Sequence, residues 1–268
     1  MPTVTANGIS MYYETQGQGE PLVLIPYLAA DQACYAFQIP EYAMHFECIT
    51  VDPRGAGNTD KPAGTYTTEL FADDVAAFLQ ALGLAPAHVT GLSLGAAVGM
   101  WLASKYPDRV KTLSLHSAWP KSDPFLHTVV DGWQVMANGL GSVAEMVITG
   151  IFPWCFTPEF YLAKTDYIQS LADFVRGRPI QPVEAFLRQA EAVLSHDAES
   201  QLVRIMAPTL VTFGRFDLVT SMRFAETLTG KVTNAELHVF EDCAHAPIYQ
   251  NVQAFNERTL AFLDKHVG

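Results

Sequence analysis

The stretch Gly91-Leu92-Ser93-Leu94-Gly95 constrains the fold more than any other part of this sequence. It follows the run His88-Val89-Thr90 and opens an apolar stretch with helical spacing from Ala96 to Tyr106. A Gly-x-Ser-x-Gly between a strand and a helix holds the serine in a strained turn and exposes its hydroxyl above the sheet. Glycines on either side let strand and helix approach closely. The pattern therefore predicts an activated serine, with helix N-terminal N–H groups directed at any developing oxyanion.

Composition limits the class of protein. The chain has 268 residues, of which 49% are hydrophobic, enough for one large α/β domain or a core with an insertion. A formal net charge of −12 argues against a nucleic-acid partner, whose phosphates require clustered Lys and Arg. No apolar run is long enough to span a bilayer, and the first residues lack the features of a signal peptide. We therefore expect a cytoplasmic protein with no membrane partner.

The cysteines give no sign of a metal or a disulfide framework. Cys34, Cys48, Cys155 and Cys243 lie far apart, without the paired spacing of zinc ligands. The sequence also lacks a Gly-rich phosphate loop and a flavin signature. We therefore expect no metal and no cofactor.

Short apolar runs alternate with helical patterns along most of the chain. Asn7-Gly8 predicts a tight hairpin turn, and a helix is expected from about Thr68 to Leu82, with Gly83 as its end. The runs that predict buried strands are Pro21–Ile25, Cys48–Val51, Val110–Leu115, Thr209–Phe213 and Glu236–Phe240. This alternation predicts an α/β fold, with a mostly parallel sheet and helices on both faces.

One long segment departs from this alternation. From about Trp119 to Gln201 the pattern is helical and rich in aromatic residues, and it is too long for one crossover between strands. We predict a core formed by residues 1–118 and 202–268, with a helical cap inserted at 119–201. Ordinary helices packed on the sheet are the alternative.

A serine hydroxyl needs a base to take its proton and an acid to orient that base. Asp217 and His245 each come just past a predicted strand, where loops meet at the carboxyl edge of a parallel sheet. Two alternatives stay open. Asp217 could cap a helix, and Asp123 could orient the histidine instead.

The whole chain resembles the α/β-hydrolase fold family. The resemblance lies in the Gly-x-Ser-x-Gly stretch, in the order Ser…Asp…His, and in residues 52–59, Asp-Pro-Arg-Gly-Ala-Gly-Asn-Thr, which match the family's D-x-R-G-x-G-x-S/T segment. Within the family, the chain is most similar to small capped enzymes related to 3-oxoadipate enol-lactone hydrolase and aminoacrylate hydrolase. The resemblance implies Ser93 as nucleophile, His245 as general base and then acid, and Asp217 as the orienting acid.

The oxyanion loop departs from the family pattern. Where relatives usually have His-Gly-x, this chain has Pro26-Tyr27-Leu28. Only a backbone N–H is needed there, so the backbone N–H groups of Leu28 and Leu94 are the predicted oxyanion hole. Tyr27 stands where glycine is usual, and either narrows the pocket or adds a hydroxyl donor.

Further residues are candidates for substrate contact: Tyr27, His116 at a strand end, and Trp154 in a proline-flanked loop. We expect Arg54 to form a structural ion pair rather than to bind a substrate carboxylate. The acidic balance disfavours strongly anionic substrates, but three arginines of the predicted cap could reverse that preference locally: Arg176, Arg178 and Arg188.

The serine in the strand-to-helix turn at Gly91–Gly95 argues against dehalogenase and epoxide hydrolase chemistry, for which the family carries aspartate at that position. The resemblance implies a serine hydrolase that cleaves a small, fairly apolar carboxylic ester or lactone through an acyl-enzyme. Two alternatives remain: a C–C bond hydrolase of a diketone-like ring-cleavage product, and a low-turnover ligand receptor of the same fold. The expected partner is the small-molecule substrate. The sequence leaves open whether the protein forms a homo-oligomer.

Overall fold

The computed structural model describes residues 2–84 and 86–268, so Met1, the first residue of the predicted core, lies outside the described part. Eight strands form one sheet in the spatial order β1-β2-β4-β3-β5-β6-β7-β8. Strands β3 to β8 pair in parallel, whereas β1 and β2 are antiparallel to their neighbours. The strands are Thr3–Ala6, Ile9–Gln16, Pro21–Ile25, Glu47–Val51, Ala87–Leu92, Val110–His116, Thr209–Gly214 and Ala235–Phe240. The predicted mostly parallel α/β sheet is therefore confirmed.

The two local signals nearest the N-terminus are also confirmed. Asn7 and Gly8 join β1 to β2 with φ values of 46° and 77°, the left-handed pair that a two-residue hairpin requires. The predicted helix covers Thr68–Leu82 and ends at Gly83, whose φ of 69° is the usual left-handed end of a helix.

The α-helices are α1 to α12 in chain order: Ile39–Tyr42, Thr68–Leu82, Leu94–Lys105, Pro124–Leu140, Val143–Met146, Phe152–Cys155, Pro158–Ala163, Thr165–Arg176, Val183–Leu194, Ala225–Lys231, Pro247–Gln250 and Val252–Asp264. In the part of the chain that the structure covers, none of these helices has the length and apolar character needed to cross a membrane.

The sheet is buried on both faces. Along β3, Val23 and Ile25 belong to one hydrophobic cluster, while Leu22 and Leu24 belong to the other. The first cluster includes side chains of α2 and α3, and the second includes side chains of α1 and α12. Helices therefore cover both faces, as the continuous apolar runs of parallel strands require.

Helices α4 to α9 all lie between β6 and β7 in the chain. The two ends of this helical segment are joined by an antiparallel bridge between Lys121 and Asp197, whose side chains form a 2.7 Å ion pair. The N–H of Ser122 donates to the carbonyl of His196 at 3.0 Å beside that bridge. The segment thus leaves and rejoins the sheet at one place, and its role as a separate cap at 119–201 stays a prediction.

Candidate active site

Ser93 lies in the sharp turn between β5 and α3, with φ 52° and ψ −115°. A Cβ on Gly91 would collide with the carbonyl of Gly95, and a Cβ on Gly95 would collide with the carbonyl of Ile25. The N–H of Ser93 donates to the carbonyl of His116 at 2.9 Å. Close packing of strand, turn and helix therefore explains both glycines of the motif and holds the serine in its strained conformation.

The structure brings Asp217 and His245 to this serine. Asp217 follows β7 and His245 follows β8, and these two strands are parallel neighbours with adjacent carboxyl ends. The Oγ of Ser93 lies 3.3 Å from Nε2 of His245, and Nδ1 of His245 lies 2.9 Å from Oδ2 of Asp217. The three predicted side chains thus form one hydrogen-bonded chain from serine to carboxylate.

The rival carboxylate does not reach the histidine. Asp123 caps α4 by accepting the N–H of Leu126, and it pairs with Arg223 at 2.8 Å. The alternative in which Asp123 orients His245 is therefore wrong.

The environment of Asp217 keeps it ionised. Burial raises the pKa of this carboxyl group, but the neighbouring His245 ring and the N–H groups of Thr220 and Val219 outweigh burial and hold the pKa below its usual value. The hydroxyl of Thr220 also lies 3.1 Å from Oδ2. Asp217 is thus an acceptor for the Nδ1 hydrogen of His245.

Two residues that the sequence analysis missed support this histidine. The hydroxyl of Ser117 donates to the carbonyl of His245 at 2.9 Å, and the hydroxyl of Thr220 lies 2.8 Å from the carbonyl of Ser117 and 3.2 Å from Nδ1 of His245. Ser117 follows β6 and has a φ of 48°. A polar residue at the carboxyl end of a parallel strand was the signal that could have found Ser117.

The predicted oxyanion donors are the backbone N–H groups of Leu28 and Leu94. Leu94 is the first residue of α3, and Leu28 lines the cavity above Ser93. Among the described residues, neither N–H donates to a protein acceptor. The N–H of the next residue after Leu28, Ala29, lies 3.4 Å from the side-chain oxygen of Gln189, a buried residue on α9. Both N–H groups are therefore available to a ligand.

Ala29 has a φ of 63°, which costs a residue with a side chain about 1–2 kcal/mol. We expect Ala29→Gly to raise the free energy of unfolding by about 0.5–1 kcal/mol, because relief of this strain exceeds the entropy that glycine adds to the unfolded chain. Urea unfolding would measure the change. Ala30→Gly is the matched control, since Ala30 has no positive φ, and it should destabilise the protein. Destabilisation by both substitutions would contradict the prediction.

Tyr27 lines the cavity, but its hydroxyl is already committed. It lies 2.8 Å from the hydroxyl of Tyr249, which donates to the carbonyl of Cys34 at 2.7 Å. The single proton of Tyr249 is used on that carbonyl, so Tyr27 donates to Tyr249. Burial raises the pKa of Tyr27 well above its usual value, which keeps the hydroxyl protonated. Of the two expectations for Tyr27, the geometry supports a narrower pocket and not an extra oxyanion donor.

Two residues expected to contact substrate do not line the cavity, which corrects both expectations. The ring of His116 is buried against Phe255 of α12, and its Nδ1 lies 2.8 Å from the hydroxyl of Thr212. Burial lowers the pKa of His116 to about 3, so its ring is neutral. Trp154 lies beside the site, but it contributes a carbonyl that accepts the N–H of His245 at 3.3 Å.

The expected ion pair of Arg54 is confirmed. Its Nε and Nη2 donate to the two oxygens of Asp74 at 2.7 and 2.6 Å, and both residues are buried. In the same loop, Asp52 accepts the N–H groups of Gln32 and Asn58, while burial raises the pKa of Asp52 to about 6. These contacts fix the loop and commit the guanidinium of Arg54 to Asp74 rather than to a substrate carboxylate.

A cavity of about 490 Å³ opens above Ser93 and His245. Its walls combine core loops with the helical segment, which contributes mostly apolar side chains: Leu126, Trp133, Val143, Val147, Ile151, Phe152, Phe156 and Leu171. Arg176 and Arg178 also line it, whereas the guanidinium of Arg188 lies over the ring of Tyr66 instead. Residues 2–84 and 86–268 contain no group of three or more His, Cys, Asp or Glu placed to hold a metal ion.

Comparison with known proteins places this fold. A model of the α/β hydrolase fold matches residues 17–146. The crystal structure of an enol-lactonase from Burkholderia xenovorans superposes with a TM-score of 0.88 at 24% identity, over 98% of this chain and 100% of the other. The chain has the α/β-hydrolase fold. The position of Ser93 between β5 and α3, with Asp217 and His245 past β7 and β8, follows from that fold.

Relatives of this α/β hydrolase match it along nearly their whole length. A RutD protein of Caulobacter segnis, named for carbamate hydrolysis, is 28% identical over 98% of this chain and 99% of its own. The 3-oxoadipate enol-lactonase 2 of Acinetobacter baylyi is also 28% identical, over 98% of this chain and 96% of its own. Both names denote hydrolysis of a carbonyl compound.

Proposed function

We propose that this α/β hydrolase cleaves a small, mostly apolar carboxylic ester or lactone through an acyl-enzyme on Ser93. The observation that carries the proposal is the hydrogen-bonded chain from Ser93 through His245 to buried Asp217, which opens into a cavity with mainly apolar walls. The similarity to a protein named as an enol-lactonase supports a lactone or an ester among carbonyl substrates.

In the proposed reaction, Oγ of Ser93 attacks the substrate carbonyl while its proton passes to Nε2 of His245. The negative charge of Asp217 stabilises the imidazolium that forms. The N–H groups of Leu28 and Leu94 donate to the new oxyanion. His245 then gives its proton to the departing alkoxide, which leaves as an alcohol, or as the free hydroxyl end of an opened lactone.

Deacylation repeats these steps with water as nucleophile. His245 takes a proton from water, the hydroxide attacks the acyl carbonyl, and the carboxylic acid leaves as Oγ of Ser93 regains its proton. We also propose that the helical segment 119–201 acts as the cap of this site. Its support is that side chains from α4 to α9 form much of the cavity wall.

The test is a stopped-flow assay with p-nitrophenyl esters of graded chain length. We expect wild-type protein to release about one equivalent of p-nitrophenol in a burst, and Ser93→Ala to lose the burst and at least about 10⁴-fold in kcat. Where deacylation is too fast for a burst, a fluorophosphonate should transfer its phosphonyl group to Oγ of Ser93 with loss of fluoride, and the peptide that contains Ser93 should gain the mass of the reagent less HF.

The control is Ser170→Ala, which removes an exposed hydroxyl on α8 and should behave as wild type. A folded Ser93→Ala protein with wild-type kcat would refute the acyl-enzyme. A wild-type protein that turns over neither esters nor lactones would refute the substrate class, and diketones would then be assayed.

A further inference from the structure

The cavity wall contains an ion pair between Arg178 and Asp31. Nε of Arg178 donates to both oxygens of Asp31, at 3.1 and 2.9 Å. The side chain of Asp31 is only 7% exposed, and that of Arg178 is 31% exposed. In the described part of the chain, Nη1 and Nη2 of Arg178 have no protein acceptor. An arginine that lines a cavity with both terminal nitrogens unused can take acceptors from the cavity contents.

The other arginine of the cavity wall shows the contrast. Arg176 uses Nε and Nη2 on Glu145 and Nη1 on Asp173, so protein acceptors account for its guanidinium. Its pair with Glu145 is about 42% exposed on both sides and lies at the solvent edge. Of the two arginines described in the cavity wall, Arg178 is the one that combines a recessed carboxylate partner with two unused donor nitrogens.

We infer that the terminal nitrogens of Arg178 bind a neutral oxygen acceptor of the substrate, away from the carbonyl that Ser93 attacks. Asp31 already balances the charge of Arg178, so a substrate carboxylate would leave a net negative charge in a mostly apolar cavity. A ketone, amide or second ester carbonyl adds no charge and accepts from the guanidinium fork. The inference rests on the proposed function and narrows its substrate class to esters or lactones with a second, uncharged carbonyl group.

The test compares pairs of p-nitrophenyl esters of equal acyl chain length. One ester of each pair has a methylene group where the other has a keto group, and the position of this group along the acyl chain differs from pair to pair. We expect Arg178→Lys to lower the keto-to-methylene ratio of kcat/KM about 10- to 100-fold at the preferred position. The intrinsic reactivity of each ester cancels when the ratios of the two proteins are compared. Arg188→Lys, which changes an arginine outside the cavity, should leave the ratio unchanged. An unchanged ratio in Arg178→Lys overturns the inference.

Asp31→Asn gives a second readout, the preference between neutral and anionic substrates. This preference would not change if the pair of Asp31 and Arg178 had only a structural role. The substitution removes the balancing charge and keeps an oxygen to cap the short turn that begins at Gln32. We expect preference to shift by about tenfold or more from the keto ester to a p-nitrophenyl monoester of a dicarboxylic acid. An equal loss for both esters would assign the pair a structural role only.

A binding experiment separates this inference from the proposed function. Calorimetric titration of Ser93→Ala protein with 2-octanone and 2,5-octanedione needs no turnover. We expect the dione to bind at least about tenfold more tightly, and Arg178→Lys on the same background to abolish that difference. If esters are not hydrolysed but the dione preference holds, the proposed reaction fails and the Arg178 site stands. If esters are hydrolysed without any such preference, only the Arg178 site fails.

Discussion

Asp217→Asn is expected to lower kcat for ester hydrolysis by about 10⁴-fold while the protein stays folded. The carboxylate accepts the Nδ1 hydrogen of His245 at 2.9 Å and therefore leaves Nε2 unprotonated toward Ser93. An asparagine that turns its NH₂ group toward Nδ1 forces the other tautomer, in which Nε2 carries the hydrogen and cannot act as a base. It also removes the charge that stabilises the imidazolium.

The measurement is steady-state kcat with one p-nitrophenyl ester, beside thermal unfolding of each variant. Asp123→Asn is the matched control, because Asp123 follows the neighbouring strand β6 but pairs with Arg223 rather than with the histidine. It should change kcat by less than about twofold. A kcat for Asp217→Asn within tenfold of wild type would show that another group orients His245.

Local signals account for most of what the sequence predicted. Three features depend on residues within a few positions of one another: the turn at Asn7-Gly8, the helix end at Gly83 and the strand-to-helix turn at Ser93. At each, a positive φ or a close approach of the backbone requires glycine or asparagine. Asp217 and His245 were also predictable, because the carboxyl ends of parallel strands share one edge of the sheet.

Side-chain direction was not predictable in the same way. His116 ends a strand whose two faces are both buried, so the alternation of apolar and polar residues that reports direction is missing. Leu115 belongs to the cluster on one face, and the His116 ring packs against Phe255 on the other. Trp154 lies in the four-residue helix α6, which is too short for helical spacing to indicate a face.

Contacts between distant parts of the chain were also not predictable from the sequence. Gln189 lies on α9, yet its side chain donates to the carbonyl of Arg54 at 2.8 Å and faces the N–H of Ala29. No local pattern marks a buried amide that joins two loops more than 130 positions away. Such contacts show how the helical segment fixes the loop that carries the predicted oxyanion donor Leu28.

Arg54→Met is expected to lower the free energy of unfolding by about 3–5 kcal/mol at pH 8. The substitution preserves much of the side-chain volume but leaves Asp74, which is 1% exposed, with the side chain of Asn7 as its remaining polar partner. A buried carboxylate without its cation pays a desolvation cost that one neutral donor does not offset. Urea unfolding would show the loss as a lower midpoint with little change in slope.

The loss should depend on pH in a direction that identifies its cause. Burial already raises the pKa of Asp74 above its usual value, against the opposing effect of Arg54, and removal of that cation raises it further. A carboxyl group whose pKa is higher in the folded state loses stability as pH rises above its unfolded value of about 4. Arg54→Met should therefore be closer to wild type at pH 4.5 than at pH 8.

The double variant Arg54→Met/Asp74→Leu is the control that separates burial of charge from loss of packing. It removes both charges, and Asn7 is exposed enough for water to replace its contact. We expect it to regain most of the lost stability and the pH dependence to vanish. A double variant as unstable as the single one would mean that packing of the loop at residues 52–59, rather than an unpaired carboxylate, sets the cost.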